Sequence, residues 1–322
     1  MARRRPRIGV VLGAGGVLGA AWTAGALVAL QERLPRPLGE VDLVVGTSAG
    51  SVMAAALRCG VGVQEIVDHQ RGVHLTPLPH LRDLDGESGP KPPLPRMRIG
   101  SPELLARTAL APHRVRPWVA ASALMFQGRG QLNSLELLVE AMLALDGRDS
   151  AGWPRRETWI MAVDYRSGRR VAFGRSGAPE AALSDAVVAS CSIPGWYRPK
   201  LIDGHPYVDG GVCSSTSLDL LSRVDLDEVY VLAPMAGYEL DNPWHPALRL
   251  ERVFRRILTL ALTREVRKVR ASGKTVTVLT PGPEDLAAIG ANMMNPTRRE
   301  QVLETSLRTS AAAFSQPSSQ AA

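Results

Sequence analysis

Val41-Asp42-Leu43-Val44-Val45-Gly46-Thr47-Ser48-Ala49-Gly50-Ser51 is the stretch on which the reading of this chain turns. Val41 to Val45 is a short apolar run of the kind that forms a buried strand. Gly46 stops it, and Ser51 to Arg58 returns to helical composition before Gly60. A serine in G-x-S-x-G between a strand and a helix sits on a sharp, strained turn. Its neighbours two residues away must be tiny because the two backbones nearly touch. Gly46 and Gly50 form such a nucleophile elbow, which makes Ser48 the candidate nucleophile. The positive end of the following helix would face the place where an anionic intermediate forms.

Toward the N-terminus, Ile8 to Leu12 reads as another buried strand, and Ala20 to Glu32, rich in Ala and Leu, as a helix ended by Pro35 and Pro37. The order strand, helix, strand, helix predicts parallel strands with right-handed crossovers, so the loops after both strands open on one sheet edge. The first of those loops is Gly13-Ala14-Gly15-Gly16-Val17-Leu18-Gly19. A dinucleotide fingerprint G-x-G-x-x-G would need glycine where Leu18 stands, although longer variants exist. An oxyanion hole needs only backbone N–H groups that point into the cleft beside Ser48. The elbow one strand away favours the second reading.

The third signal is Tyr207-Val208-Asp209-Gly210-Gly211, preceded by Ala189-Ser190-Cys191-Ser192-Ile193-Pro194-Gly195 and by Ile202-Asp203-Gly204. An aspartate before two glycines is by itself an ordinary turn. Together with the glycine loop and the elbow, in this order, it resembles the patatin-like phospholipase family over about residues 8 to 224. The resemblance implies a three-layer α/β/α fold with a mainly parallel central sheet, hydrolysis of lipid acyl esters, and a Ser–Asp dyad without a catalytic histidine. By motif position Ser48 is the expected nucleophile, Asp209 its base, and Gly15, Gly16 and Val17 the oxyanion loop. Relatives usually carry a basic residue where this chain has Leu18, which leaves backbone donors and helix dipoles to form the hole. A transacylase, or a weakly active lipid-binding regulatory protein, would keep the same residues. The remaining chain, 225 to 322, is expected to continue the same domain.

His69, His74, His80, His113, His205 and His245 are the rival bases of a Ser–acid–His triad. Of these His205, four residues before Asp209, stands out, and His245 follows the elbow in triad order but within an Asn-Pro-Trp-His-Pro turn.

The 322 residues, 45% hydrophobic and 21% charged, fit a soluble globular chain with a large core, and 5% aromatics give no platform for stacking nucleic-acid bases. A formal charge of +7 suits either a solvated arginine-rich surface or an anionic lipid surface. No stretch reaches the roughly 18 apolar residues of a membrane span, so any membrane contact is expected to be peripheral. The arginine-rich start runs into a glycine-broken strand and does not read as a signal peptide. Cys59, Cys191 and Cys213 form neither a metal knuckle nor a disulfide framework, which points to a reducing, cytoplasmic compartment. Cys213, near Asp209, reads as a small buried hydrophobe. Without an EF-hand loop or clustered His and Cys, no metal and no cofactor are expected.

Helices are further predicted over Pro102 to Ala109 and over Ser134 to Ala144, the latter capped by Ser134, and a hairpin over Trp159 to Tyr165 and Arg170 to Phe173 around Ser167-Gly168. Glu228 to Ala233 and Lys274 to Leu279 read as strands. Leu250 to Arg270 reads as a helix with apolar residues on one face and Arg and Lys on the other. The proline-rich segment 76–100 is expected to be a surface loop or lid, and the tail after Ser315 to fray.

Overall fold

The computed structural model describes residues 4–75, 78–79, 87, 89–147 and 152–315. His80, the tail after Ser315 and part of the 76–100 segment lie outside the described residues.

The first half of the chain runs β1 (Ile8–Leu12), α1 (Gly16–Arg33), β2 (Leu43–Thr47), α2 (Ala49–Arg58), α3 (Val63–Gln70), β3 (Arg96–Ile99), α4 (Pro102–Leu110), α5 (Pro117–Leu124), β4 (Phe126–Gln127) and α6 (Asn133–Leu145). The second half runs β5 (Thr158–Asp164), β6 (Arg170–Phe173), α7 (Leu183–Cys191), β7 (Lys200–Ile202), β8 (His205–Asp209), β9 (Glu228–Leu232), α8 (Pro246–Arg270), β10 (Thr275–Leu279), α9 (Pro283–Ile289) and α10 (Arg299–Ser315).

The main sheet has the order β10-β9-β1-β2-β5-β8-β7, with β6 folded back on β5. Every pair from β10 to β5 is parallel, whereas β8 runs antiparallel to β5, and β7 runs antiparallel to β8. Leu12 stands opposite Gly46, so the loops after β1 and β2 leave the sheet side by side. The β5–β6 hairpin forms as predicted, with Gly168 at φ 69 in its turn.

Side chains alternate through this sheet, and both faces are covered, which is why its strands read as unbroken apolar runs. Val10, Leu12, Val44 and Ile160 face a core shared with α1, α2, α3, α6, α7 and α10. Val11, Val45, Met161 and Val229 face a second core closed by Leu262, Val266 and Val269 of α8. The result is the expected three-layer α/β/α arrangement. α10 lies tightly along α1: a Cβ on Gly25 would come within 2.7 Å of the Leu307 nitrogen, and the Ser306 hydroxyl donates to the Trp22 carbonyl at 2.7 Å.

Several boundaries differ from the sequence reading. α1 begins at Gly16, inside the glycine loop, and β2 runs on to Thr47, directly against the serine. Ser134 is not a cap. Helix α6 already begins at Asn133, and the Ser134 N–H is taken by the Glu87 carboxylate at 2.9 Å. In α8 the expected polarity is inverted over the first half: Arg252 and Arg255 are buried while Leu250, Val253, Phe254, Ile257 and Leu260 are exposed. Arg255 is accommodated because every direction of its guanidinium is met. It donates to the carbonyls of Pro234 at 2.6 Å and Ala236 at 2.9 Å, and to Glu251 at 2.6 Å.

Candidate active site

Ser48 is placed by the end of β2 and the start of α2. Its φ of 53° and ψ of −125° are rare for a residue with a side chain, a conformation that costs about 1–3 kcal/mol and persists only where its surroundings enforce it. Three bonds do so. The Ser48 N–H donates to the Ser190 hydroxyl at 2.8 Å, which itself donates to the Met161 carbonyl at 2.6 Å. From the other side, the Ser51 hydroxyl donates to the Ser48 carbonyl at 2.6 Å. The flanking glycines are sterically required: a Cβ on Gly46 would lie 2.6 Å from the Gly50 carbonyl oxygen, and one on Gly50 would strike the carbonyl of Leu12.

Asp209 ends β8. Its N–H donates to the Ser192 carbonyl at 3.0 Å, and its carboxylate accepts the Gly211 N–H at 2.7 Å. A Cβ on Gly210 would sit 2.5 Å from the Met161 carbonyl, so this turn reaches the sheet only without a side chain there. Ser48 and Asp209 are both buried, and the Ser48 hydroxyl is close enough to act on the Asp209 carboxyl. Burial pushes the Asp209 carboxyl up from an ordinary 3.8 to about 6, while the Ser48 hydroxyl and the Gly211 N–H pull it partly back.

The glycine loop closes the third side. The Gly13 N–H donates to the Leu232 carbonyl at 2.9 Å and the Ala14 N–H to the Ser215 carbonyl at 2.8 Å, which fixes the loop to β9 and to the segment after β8. Among the described residues no acceptor takes the N–H groups of Gly15, Gly16 or Val17. Gly16 and Val17 line the same cleft as Ser48, whereas Gly15 is packed behind them, its would-be Cβ 2.7 Å from the Pro234 ring. Leu18 points into the core, and its N–H donates to the Met293 carbonyl at 2.9 Å. A basic side chain at that position would be buried among apolar residues. Pro234, Met293 and Met294 pack on the glycines of this loop, so its small residues serve protein contacts, which removes the rationale for a dinucleotide.

The cleft encloses about 980 Å³, part of it open to solvent, with Ser48 and Ala49 on its wall. The remaining wall is mainly apolar, from Val52, Met53, Ile66, Leu135, Leu138 and Met142 among others, with His69, Gln70, Glu87 and Arg299 as its polar members. Leu78 and Glu87, from the proline-rich segment, also face it. Among the described residues none of the other histidines lines it. His205 is exposed at the opposite end of β8 from Asp209, and His245 caps α8, where its Nδ1 accepts the Ala247 N–H at 3.2 Å. His69 is the histidine on the cleft wall, and its Nε2 lies 3.3 Å from the Pro79 carbonyl.

The sequence reading missed two supports. Ser190 holds the elbow N–H although it stood in a quoted motif, and Cys191, not Cys213, is the cysteine beside the serine, 3.8 Å from the Ser51 hydroxyl. Burial pushes the Cys191 thiol well up, so it stays protonated. The Met293 contact had no signal, being some 270 residues away in sequence from the loop it covers. Among the described residues no group of three or more His, Cys, Asp or Glu could hold a metal ion.

Residues 10–222 match the family described as patatin-like phospholipase. No curated protein matches the chain. Among solved structures the chain is similar to VipD from Legionella pneumophila at 14% identity and a TM-score of 0.46, over 97% of this chain and 67% of that one. It is similar to the type III effector ExoU of Pseudomonas aeruginosa at 17% identity and a TM-score of 0.35, over 97% of this chain and 53% of that one. For human GIVD cytosolic phospholipase A2 in complex with methyl gamma-linolenyl fluorophosphonate the values are 14% and 0.38, over 96% of this chain and 58% of that one. The family match spans most of the chain, from the glycine loop through the Asp209 turn, and the chain belongs to the patatin-like phospholipase family, whose members are lipid acyl hydrolases.

Proposed function

We propose that the chain hydrolyses carboxylic esters of lipids through Ser48 and Asp209. The observation that carries this reading is a buried serine at φ 53 whose hydroxyl neighbours a buried carboxylate, on the wall of an apolar cleft. Ser48 Oγ attacks the ester carbonyl while Asp209 takes its proton. The tetrahedral oxyanion is met by the N–H groups of Gly16 and Val17, which line the cleft, and by the positive end of α2. Collapse expels the alcohol, which takes the proton back from Asp209 and leaves an acyl-Ser48 ester. Water then attacks that ester with Asp209 again as base, releasing the acid. The apolar cleft is suited to the acyl chain. A carboxylate lifted to about 6 is a stronger base than an ordinary aspartate yet is ionised at neutral pH, which suits it to direct contact with a serine hydroxyl.

The three free cysteines support a reducing, cytoplasmic setting, and no helix among the described residues is long and apolar enough to cross a membrane. Contact with lipid is therefore proposed to be peripheral.

The test is labelling by a long-chain fluorophosphonate, read by peptide mass spectrometry, alongside turnover of short and long acyl esters. A phosphonyl group on Ser48, lost in Ser48→Ala together with ester turnover, is expected. A folded native chain that neither labels at Ser48 nor cleaves any ester would overturn the reading.

A further inference from the structure

Helix α8 carries two groups of side chains in unusual places. Leu250, Val253, Phe254, Ile257 and Leu260 follow helical spacing on the solvent side and are 38–73% exposed, and Trp244, just before the helix, is 92% exposed. Opposite them, Arg252 and Arg255 are 3% and 1% exposed. A solvated surface helix carries the reverse pattern. The inward arginines are fully engaged, Arg255 as described above and Arg252 with Asp241, Glu251 and the Leu286 carbonyl.

The charge on the outer face has one sign. The helix contains two acidic residues, and both point inward. Glu251 holds the buried arginines, and Glu265 accepts from the Ser214 hydroxyl at 2.6 Å, the Thr216 hydroxyl at 2.8 Å and the Leu218 N–H at 3.0 Å. Arg249, Arg256, Arg264, Arg267 and Lys268 remain exposed beside and beyond the apolar stripe. Such a surface, apolar along its middle with an aromatic at one end and cations along its flank, matches the interface of a bilayer with anionic headgroups. A second copy of the chain fits it poorly, because a two-fold pairing of this face would set cations against cations.

Helix α8 packs on the other face of the sheet from the apolar wall of the cleft, and one chain of contacts joins the two. Leu262, Val266 and Val269, in the second half of α8, cover the sheet. Its first half reaches past the sheet edge, where Arg255 holds the Pro234 carbonyl and the Pro234 ring packs on Gly15 and Gly19 of the glycine loop. The helix that carries the stripe is thus tied through Pro234 to the glycine loop beside Ser48.

We propose that the outer face of α8, from Trp244 to Leu260, is the surface by which this protein docks on anionic phospholipid bilayers and brings the cleft to its substrate. The choice of lipid as occupant rests on the lipid hydrolase reading; the surface itself does not.

The test uses the full chain carrying Ser48→Ala, so that vesicles are not consumed, in sedimentation with vesicles of equimolar phosphatidylcholine and phosphatidylglycerol or of phosphatidylcholine alone. Binding is expected to the anionic vesicles, weakened by salt. Phe254→Glu with Ile257→Glu, both exposed positions, is expected to lower it by at least tenfold, and Arg256→Gln by about fivefold. In the chain with Ser48 intact, the Phe254→Glu/Ile257→Glu pair is expected to leave turnover of a soluble short-chain ester unchanged and to suppress turnover of vesicle lipid. Vesicle binding without ester turnover by any form would count against the hydrolase reading and leave the docking surface standing. Equal vesicle binding by native and doubly substituted chains would overturn the proposal, as would a native chain that is dimeric in solution and becomes monomeric on the same substitutions.

Discussion

At the scale of single residues, two strained features of the site make separable expectations. Ser48 holds φ 53 against the preference of any residue with a Cβ. Ser48→Gly is therefore expected to be more stable than Ser48→Ala by about 1 kcal/mol in urea unfolding, both being inactive. Asp209 is buried and its carboxyl raised. Between pH 3.8 and about 6 the folded chain keeps a proton here that the unfolded chain has lost, so this group's stabilising effect falls as pH rises through that window. Asp209→Asn is thus expected to raise stability at neutral pH, by up to about 3 kcal/mol, since Asn can still accept the Gly211 N–H. A clear loss of stability would contradict the burial argument. Asp203, exposed at φ 48 in the turn between β7 and β8, is the control, and Asp203→Asn is expected to change neither stability nor turnover.

At the scale of elements, the first turn of α1 is the part to probe. Val17 is the second residue of that helix, where a proline keeps helical φ and removes only an N–H that has no acceptor among the described residues. Val17→Pro is expected to lower kcat by on the order of a hundredfold with circular dichroism unchanged, and Val17→Ala to retain turnover. A folded Val17→Pro chain with native kcat would remove that N–H from the oxyanion hole. The elements were unevenly legible in the sequence. β1, β2 and β5 were readable because both their faces are buried, and β6, β9 and β10 because they are short apolar runs bounded by turn residues. β7 and β8 were not, β7 having three residues and β8 carrying Pro206. The start of α1 was missed because its first turn is built from glycines that no propensity favours, and that use follows from contacts with Pro234 and Met293. The inverted polarity of α8 was invisible for a related reason. Arginine reads as solvent-facing until carbonyls from distant residues such as Pro234 and Ala236 are seen to bind it.

At the scale of the whole molecule, three loops meet at one sheet edge because β1 and β2 are parallel neighbours and the antiparallel β8 delivers its C-terminal end alongside β5. The motifs named the residues of the candidate site; the register explains how residues some 160 positions apart come to lie together. We read 8–224 and the continuation 225–322 as one folding unit. β9 pairs with β1 from Ile8 to Leu12, and its last carbonyl holds the Gly13 N–H. Truncation after residue 224 would expose the edge of β1 and is expected to yield insoluble protein, whereas a soluble, cooperatively unfolding fragment would show two units.

The dyad itself is tested most directly by kcat/KM against pH on a soluble ester, for the native chain, Asp209→Asn, His69→Ala, His205→Ala and His245→Ala. The expected result is an acid limb near pH 6 that belongs to Asp209, a loss of several orders of magnitude in Asp209→Asn, and near-native values for His205→Ala and His245→Ala. His69→Ala, on the cleft wall, is expected to alter KM more than kcat. Retained turnover in Asp209→Asn, with a histidine substitution as damaging as Ser48→Ala, would contradict the dyad and put a histidine in its place.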